Sequence, residues 1–281
     1  FLGSSVPPNI FFALDDSGSM DWGTLVPEPN GVLVAGGRSY VYPHTAPDNA
    51  TFLGFCTGGI KAGFDVPPED ELISRGLSVA NTLGVWRSRN SQYNTVYYNP
   101  AITYTPWAGN DSTGVAYTDA VITAARYNPF LPGVGTVDLT ANDPICVRHA
   151  NLFGGLFFID FGFFPARYYT FVDDNGDGLV GTTETHTLVE IRPTTPSYTG
   201  SAARSDCVAA PVCSYAEEIQ NFANWYSYNR RREFVMKVAI SKLIDDSIAR
   251  MGLATINNND SVATAITDMT VMRDFLLVRS M

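Results

Sequence analysis

The sequence predicts an α/β protein: a sheet domain interrupted early by a large, irregular, β-rich insertion. Three observations predict it. A short unbroken apolar run, Pro8–Leu14, stops abruptly at Asp15-Asp16-Ser17-Gly18-Ser19-Met20. About two hundred residues then follow in which Pro, Gly, Asn and Thr recur among short aromatic runs. After them, apolar residues return at near-helical spacing and are followed by two short strand-like runs.

The first run has no polar alternation, so it reads as a strand buried on both faces, as in a parallel sheet. Residues 23–214 have the texture of a β-rich subdomain, with turn residues every few positions. An insertion of that size is tolerated at a surface loop because closure entropy grows slowly with length. From Glu217 to Arg250, the residues Ile219, Phe222, Ala223, Tyr226, Phe234, Val238, Ile240, Leu243 and Ile244 lie at helical spacing. Asn229-Arg230-Arg231-Arg232 sits among them and reads as a solvated basic face. Met251–Asn257 and Val262–Met269 read as strands, and Val271–Met281 as the start of a helix. The core is therefore split, residues 1–22 joining 215–281 around the insertion.

Composition limits the function. Of 281 residues, 45% are hydrophobic and 16% charged, as in an ordinary globular protein. Eighteen Lys and Arg against 28 Asp and Glu give a net charge of −10, which repels nucleic acid and anionic membranes. No apolar stretch is long enough to span a bilayer; Leu152–Phe164 carries Asp160 and is followed by Pro165. No signal peptide is visible, and Phe1 reads as the start of a processed chain. Cys56, Cys146, Cys207 and Cys213 lack zinc-site spacing. Cys207 and Cys213 enclose a short segment that a local disulfide closes readily. Cys56 with Cys146 then follows by elimination, one of three possible pairings. Disulfides imply an oxidising compartment; the alternative is four buried reduced thiols.

Two oxygen-rich turns carry the chemistry. Asp15, Ser17 and Ser19 directly follow the first strand, and open α/β sheets put ligands beyond the carboxyl ends of their strands. One carboxylate and two hydroxyls suit a hard cation, Mg²⁺ or Ca²⁺, and leave coordination open for a partner's carboxylate. The bland alternative is a turn or helix cap. The second turn, Asp173 to Glu184, fits the Ca²⁺ loop pattern Asp-x-Asn-x-Asp-Gly-x₅-Glu over its full length. Asp173, Asn175 and Asp177 offer side-chain oxygens, Leu179 its carbonyl, and Glu184 two oxygens. Its flanks are β-branched and aromatic, so strands hold it and a structural role is expected. The alternative there is a polar hairpin turn. His44, His149 and His186 lie beside no candidate nucleophile and read as ordinary surface or loop residues; no catalytic motif is present, and an enzyme is not expected.

Phe12-Ala13-Leu14-Asp15-Asp16-Ser17-Gly18-Ser19-Met20 resembles the first metal-adhesion motif of von Willebrand A domains. The resemblance implies a doubly wound, mainly parallel sheet flanked by helices, with a Thr and an Asp from two later loops completing the ion site. No later loop here matches, so the core is expected to be truncated and Thr264, Asp268 and Thr270 receive no such role. A narrower resemblance is carried by Trp86-Arg87-Ser88-Arg89-Asn90, Tyr97-Tyr98-Asn99-Pro100 through Trp107, Tyr117-Thr118-Asp119-Ala120 and Asn221-Phe222-Ala223-Asn224-Trp225-Tyr226. These resemble the N-terminal region of the PilC/PilY family of type IV pilus tip-associated proteins. That likeness implies an exported, extracellular protein at the pilus tip, acting in pilus assembly and metal-dependent adhesion. Its partners would be minor pilins and a host or abiotic surface receptor. The aromatic residues themselves, Trp86, Trp107 and Trp225, read as core or seam.

Overall fold

The structure is a computed structural model that describes residues 8–17, 20, 23, 25–27, 32–35, 38–41, 60–61, 86–150, 156–181, 183–247, 249–256 and 264–267. Strand β1 (Asn9–Leu14) leads into the interrupted region, which holds β2 (Val32–Ala35), β3 (Arg38–Val41), β4 (Ile60–Lys61), the single-turn helix α1 (Trp86–Arg89), β5 (Ala125–Arg126) and β6 (Thr136–Val137). It continues through β7 (Asp143–Ala150), β8 (Leu156–Phe163), β9 (Arg167–Val172), β10 (Thr185–Glu190), β11 (Ser197–Thr199) and β12 (Val212–Ser214). Helices α2 (Tyr215–Tyr228) and α3 (Arg232–Asp246) follow, then β13 (Arg250–Thr255) and β14 (Thr264–Thr267).

The two ends of the chain meet in one sheet of order β1-β13-β14. β1 runs parallel to β13, Asn9 opposite Arg250 and Leu14 opposite Thr255, while β14 is antiparallel to β13. Parallel neighbours need a crossover, and α3 supplies its last leg. Ile240 and Ile244 of α3 pack with Leu14, Ala249, Met251 and Leu253. Only one face of β1 is covered in this way. Leu14 is buried and Ile10 and Phe12 half-buried, whereas Asn9, Phe11 and Ala13 are exposed. The expectation of a strand buried on both faces thus fails among the described residues, because a single helix covers a single side of a period-two strand.

Helix α2 begins with a capping box: Glu217 Oε2 accepts from Ser214 N at 2.7 Å, and Ser214 Oγ accepts from Glu217 N at 3.4 Å. The sequence reading groups it with residues 215–281, and its apolar face packs on residues between 98 and 191. Ile219, Phe222, Ala223 and Trp225 join Tyr98, Leu139, Phe164, Tyr168 and Ile191 in one buried cluster. The helical spacing from Glu217 onward falls on two helices, separated at Asn229–Arg231. There the solvated-face reading is overturned, since Asn229, Arg230 and Arg231 are all buried. Arg230 donates to Tyr226 O at 2.7 Å, to Arg126 O at 3.2 Å and to Tyr127 O at 2.5 Å, and its guanidinium lies 4.3 Å from the Tyr226 ring centre. Three carbonyls and an aromatic face replace the water that an arginine gives up on burial.

Candidate metal centres

Hairpin β9–β10 carries the second oxygen-rich turn. Its strands pair from Arg167–Glu190 to Val172–Thr185, and loop 173–184 closes the end. Inside the loop, Asp173 organises the backbone: Oδ1 accepts from Gly176 N at 2.8 Å and Asp177 N at 3.2 Å, and Oδ2 from Gly178 N at 2.9 Å. Gly176 and Gly178 both have φ of 74°, a region that side-chain-bearing residues rarely occupy, so the tight winding depends on glycine at these two positions. Asp177 Oδ1 accepts from Leu179 N at 2.7 Å, and the Leu179 side chain is exposed. Glu184 is buried; its Oε2 accepts from Gly181 N at 2.6 Å and its Oε1 from Thr183 Oγ1 at 2.7 Å.

The result is a convergence of charge. One carboxylate oxygen from each of Asp173, Asp177 and Glu184 lies within 4.8 Å of the others. Asn175 Nδ2 bridges two of these groups, 3.1 Å from Asp177 Oδ2 and 2.9 Å from Glu184 Oε1. The loop's donors are neutral amides and hydroxyls, which orient the carboxylates without cancelling three negative charges. Such a set suits a hard divalent cation. All five residues that the motif selects, Asp173, Asn175, Asp177, Leu179 and Glu184, belong to this one loop.

The loop is tied to the inserted region through His186. Its Nε2 lies 2.6 Å from Gly181 O, and its ring stacks on Trp86 with centroids 3.7 Å apart and planes 9° from parallel. Burial lowers the His186 pKa below its ordinary value. His186 thus links Gly181 of the turn to Trp86 of α1. His44 lies outside the described residues, as does the side chain of His149.

The first turn is built differently. Asp15 follows β1 at the sheet's carboxyl edge, is exposed, and accepts from Ser17 N through Oδ1 at 2.9 Å. That hydrogen bond, with help from the Ser17 side chain, holds the Asp15 carboxyl below its ordinary pKa. Ser17 O accepts from Met20 N at 2.9 Å. Asp15 and Ser17 are thus brought together, and Ser19 lies outside the described residues.

The aromatic and amide motifs form a seam between segment 96–120 and α2. Tyr98 donates to Glu218 Oε1 at 2.8 Å, and Arg204 Nη1 reaches Glu218 Oε2 at 3.0 Å, both ionic side chains being fully buried. Arg204 also grips Asp206 with two bonds, Nε–Oδ1 at 2.7 Å and Nη2–Oδ2 at 2.8 Å. Asn221 accepts from Tyr104 N and donates to Ile102 O, while Asn224, one turn along, accepts from Ala120 N and donates to Tyr104 O. Trp225 donates to Val96 O and Trp107 to Tyr228 O. Trp86, Trp107 and Trp225 are all buried, in the core and seam positions expected of them. Neither the Arg204–Glu218 pair nor the amide pair was anticipated from sequence, although Asn at i and i+3 on an otherwise apolar helix face is a readable signal.

Cys207 and Cys213 form a disulfide, Cα atoms 5.1 Å apart. Cys56 and the side chain of Cys146 lie outside what is described. Among the described residues, no helix is long and apolar enough to cross a membrane. Comparison with family models, with curated proteins and with solved structures returns no match to this chain.

Proposed function

We propose that the chain is the split head of an exported, cation-dependent adhesion module of von Willebrand A type, working at the tip of a type IV pilus. The observation that carries this reading is the junction at Leu14. A strand paired in parallel with β13 and backed by helix α3 ends in an Asp15–Ser17 turn, the position at which open α/β sheets offer a ligand site. With Mg²⁺ or Ca²⁺ held by Asp15, Ser17 and Ser19, a carboxylate on a host or abiotic surface would complete the ion's coordination. The likeness of the Tyr97–Pro100 and Asn221–Tyr226 motifs to pilus-tip proteins supports the location, and it brings minor pilins as assembly partners. The disulfide supports passage through an oxidising compartment such as the periplasm.

Loop 173–184 takes a structural Ca²⁺ in this reading. Binding there exchanges the Asn175 Nδ2–Glu184 bond for ion–oxygen contacts and relieves the repulsion of three carboxylates. Extracellular calcium is abundant enough to fill even a weak site.

Elemental analysis of the purified chain and its Asp15→Ala and Asp173→Ala variants, joined to an attachment assay on piliated cells, tests the proposal. We expect Asp173→Ala to remove calcium, and Asp15→Ala to remove a separate equivalent together with cation-dependent attachment while surface pili remain. Attachment unchanged in Asp15→Ala, with pilus number falling when the insertion is deleted, would instead mark an assembly cap without direct adhesion.

A further inference from the structure

The Cys207–Cys213 loop has a property that folding alone does not demand. Its seven residues, Cys-Val-Ala-Ala-Pro-Val-Cys, include no charged or hydrogen-bonding side chain. Val208 is 97% exposed and Val212 45%, and Ala209 and Pro211 are exposed beside them. Isolated exposed aliphatic residues are ordinary; a continuous apolar tip held rigid is less so. Rigidity here has several sources. The disulfide closes the base, Val212 N donates to Ala209 O at 2.9 Å, and Gly200 N donates to Pro211 O at 2.7 Å. Glu217 ties both ends, accepting from Val208 N at 2.8 Å and from Ser214 N at 2.7 Å. A loop fixed before contact loses little entropy on docking.

The same Glu217 lines a cleft of about 440 Å³, together with Tyr104, Asp119, Asp206 and Gln220. Three carboxylates line it: Asp206 is paired with Arg204, whereas Asp119 and Glu217 accept from neutral donors. Among the described residues no lysine or arginine lines the cleft. An apolar tip thus adjoins an acidic hollow. A second copy docked through this same surface would bring a like-charged face, and an anionic bilayer would be repelled by the net charge of −10. What the pair of features complements is a protein segment with a basic side chain next to an aliphatic one.

We infer that the Cys207–Cys213 loop and the adjoining cleft, with its Asp119 and Glu217 carboxylates, form a docking surface for a partner segment that pairs lysine or arginine with aliphatic side chains. The aliphatic group packs on Val208, Pro211 and Val212, and the basic group enters the cleft. Neither cation loop takes part, so this surface stands apart from the proposed adhesion site.

The test is a titration of the isotopically labelled 281-residue chain with acetyl-Leu-Lys-Leu-Lys-amide, followed by amide chemical shifts, with acetyl-Leu-Glu-Leu-Glu-amide as the opposite-charge control. We expect saturable shifts at Val208, Ala209, Val212, Asp119 and Gln220 with the lysine peptide only, weakening as salt is raised. Val208→Asp is expected to weaken binding about tenfold through lost apolar contact, and Asp119→Lys roughly fivefold through reversed charge. Both side chains are exposed, and an unchanged melting temperature verifies that each variant is folded. Equal binding of both peptides, shifts confined to other residues, or indifference to both substitutions would overturn the inference. So would dimerisation of the chain that Val208→Asp abolishes while neither peptide binds, because the occupant would then be a second copy.

Discussion

The seam around α2 and the turn at the end of β9–β10 both gather carboxylates, and they treat them in opposite ways. In the seam, Glu218 is fully buried but faces Arg204 and Tyr98, and Asp206 takes two bonds from the same guanidinium. The charges of Glu218 and Asp206 are thus met within the chain by one buried guanidinium. In the turn, Asp173, Asp177 and Glu184 converge on one another, and their donors are neutral. Negative charge is oriented there and left uncancelled. The contrast separates carboxylates paired with a buried cation from carboxylates that converge on one another and could hold a metal ion.

The sharpest way to break the contrast is to remove the seam's cation. Arg204→Ala leaves Glu218 buried without its counter-charge, and we expect a loss of about 3–5 kcal/mol in denaturant unfolding, with or without Ca²⁺. The pH dependence has a definite sign. Burial already raises the Glu218 pKa above 4.5, and Arg204 is the largest influence opposing that rise. Removing it raises the pKa further, so between 4.5 and the new value the folded state binds more protons than the unfolded state. The variant should therefore recover stability as pH falls through that window, and a loss that stayed constant with pH would contradict the account.

In the turn, the large effect should come from the ion. Ca²⁺ at a hundred times its dissociation constant should stabilise the chain by about 2.7 kcal/mol, and Glu184→Gln or chelation should abolish that gain. A melting temperature indifferent to Ca²⁺ would make the turn an ordinary polar hairpin. Asn224→Ala, back in the seam, should cost about 1–3 kcal/mol by stranding the amide of Ala120 and the carbonyl of Tyr104, again regardless of calcium.

What could be read in advance follows from how locally each feature is determined. The turn at 173–184 was legible because its ligand spacing and its two positive-φ glycines all lie within twelve consecutive residues. Strands β1 and β13 were legible as apolar runs, whereas which strands they pair with is decided elsewhere in the chain. The burial of Arg230 was not legible: two of its carbonyl partners, on Arg126 and Tyr127, lie more than a hundred residues away in sequence. For the same reason the spacing located α2 but not the core it joins, since an apolar face states that something covers it without naming what. The half-covered face of β1 had a similar origin. An unbroken apolar run fixes the strand, whereas the number of layers packed on it is decided by elements elsewhere in the chain.

The smallest expected effect is optical, and it probes whether the turn is isolated from the seam. Trp86 stacks on His186, and His186 holds Gly181 O, whose own residue donates its N–H to Glu184. An ion that draws in Glu184 must move or tighten Gly181, and through it the imidazole lying against the indole. Trp107 and Trp225 are bonded to Tyr228 O and Val96 O, which belong to the seam and to neither side of the turn. Adding Ca²⁺ should therefore change tryptophan emission by an amount that disappears in Trp86→Phe and persists in Trp107→Phe. A calcium-dependent signal surviving Trp86→Phe would mean that ion binding reaches the seam, and the separation between the two acidic regions would no longer hold.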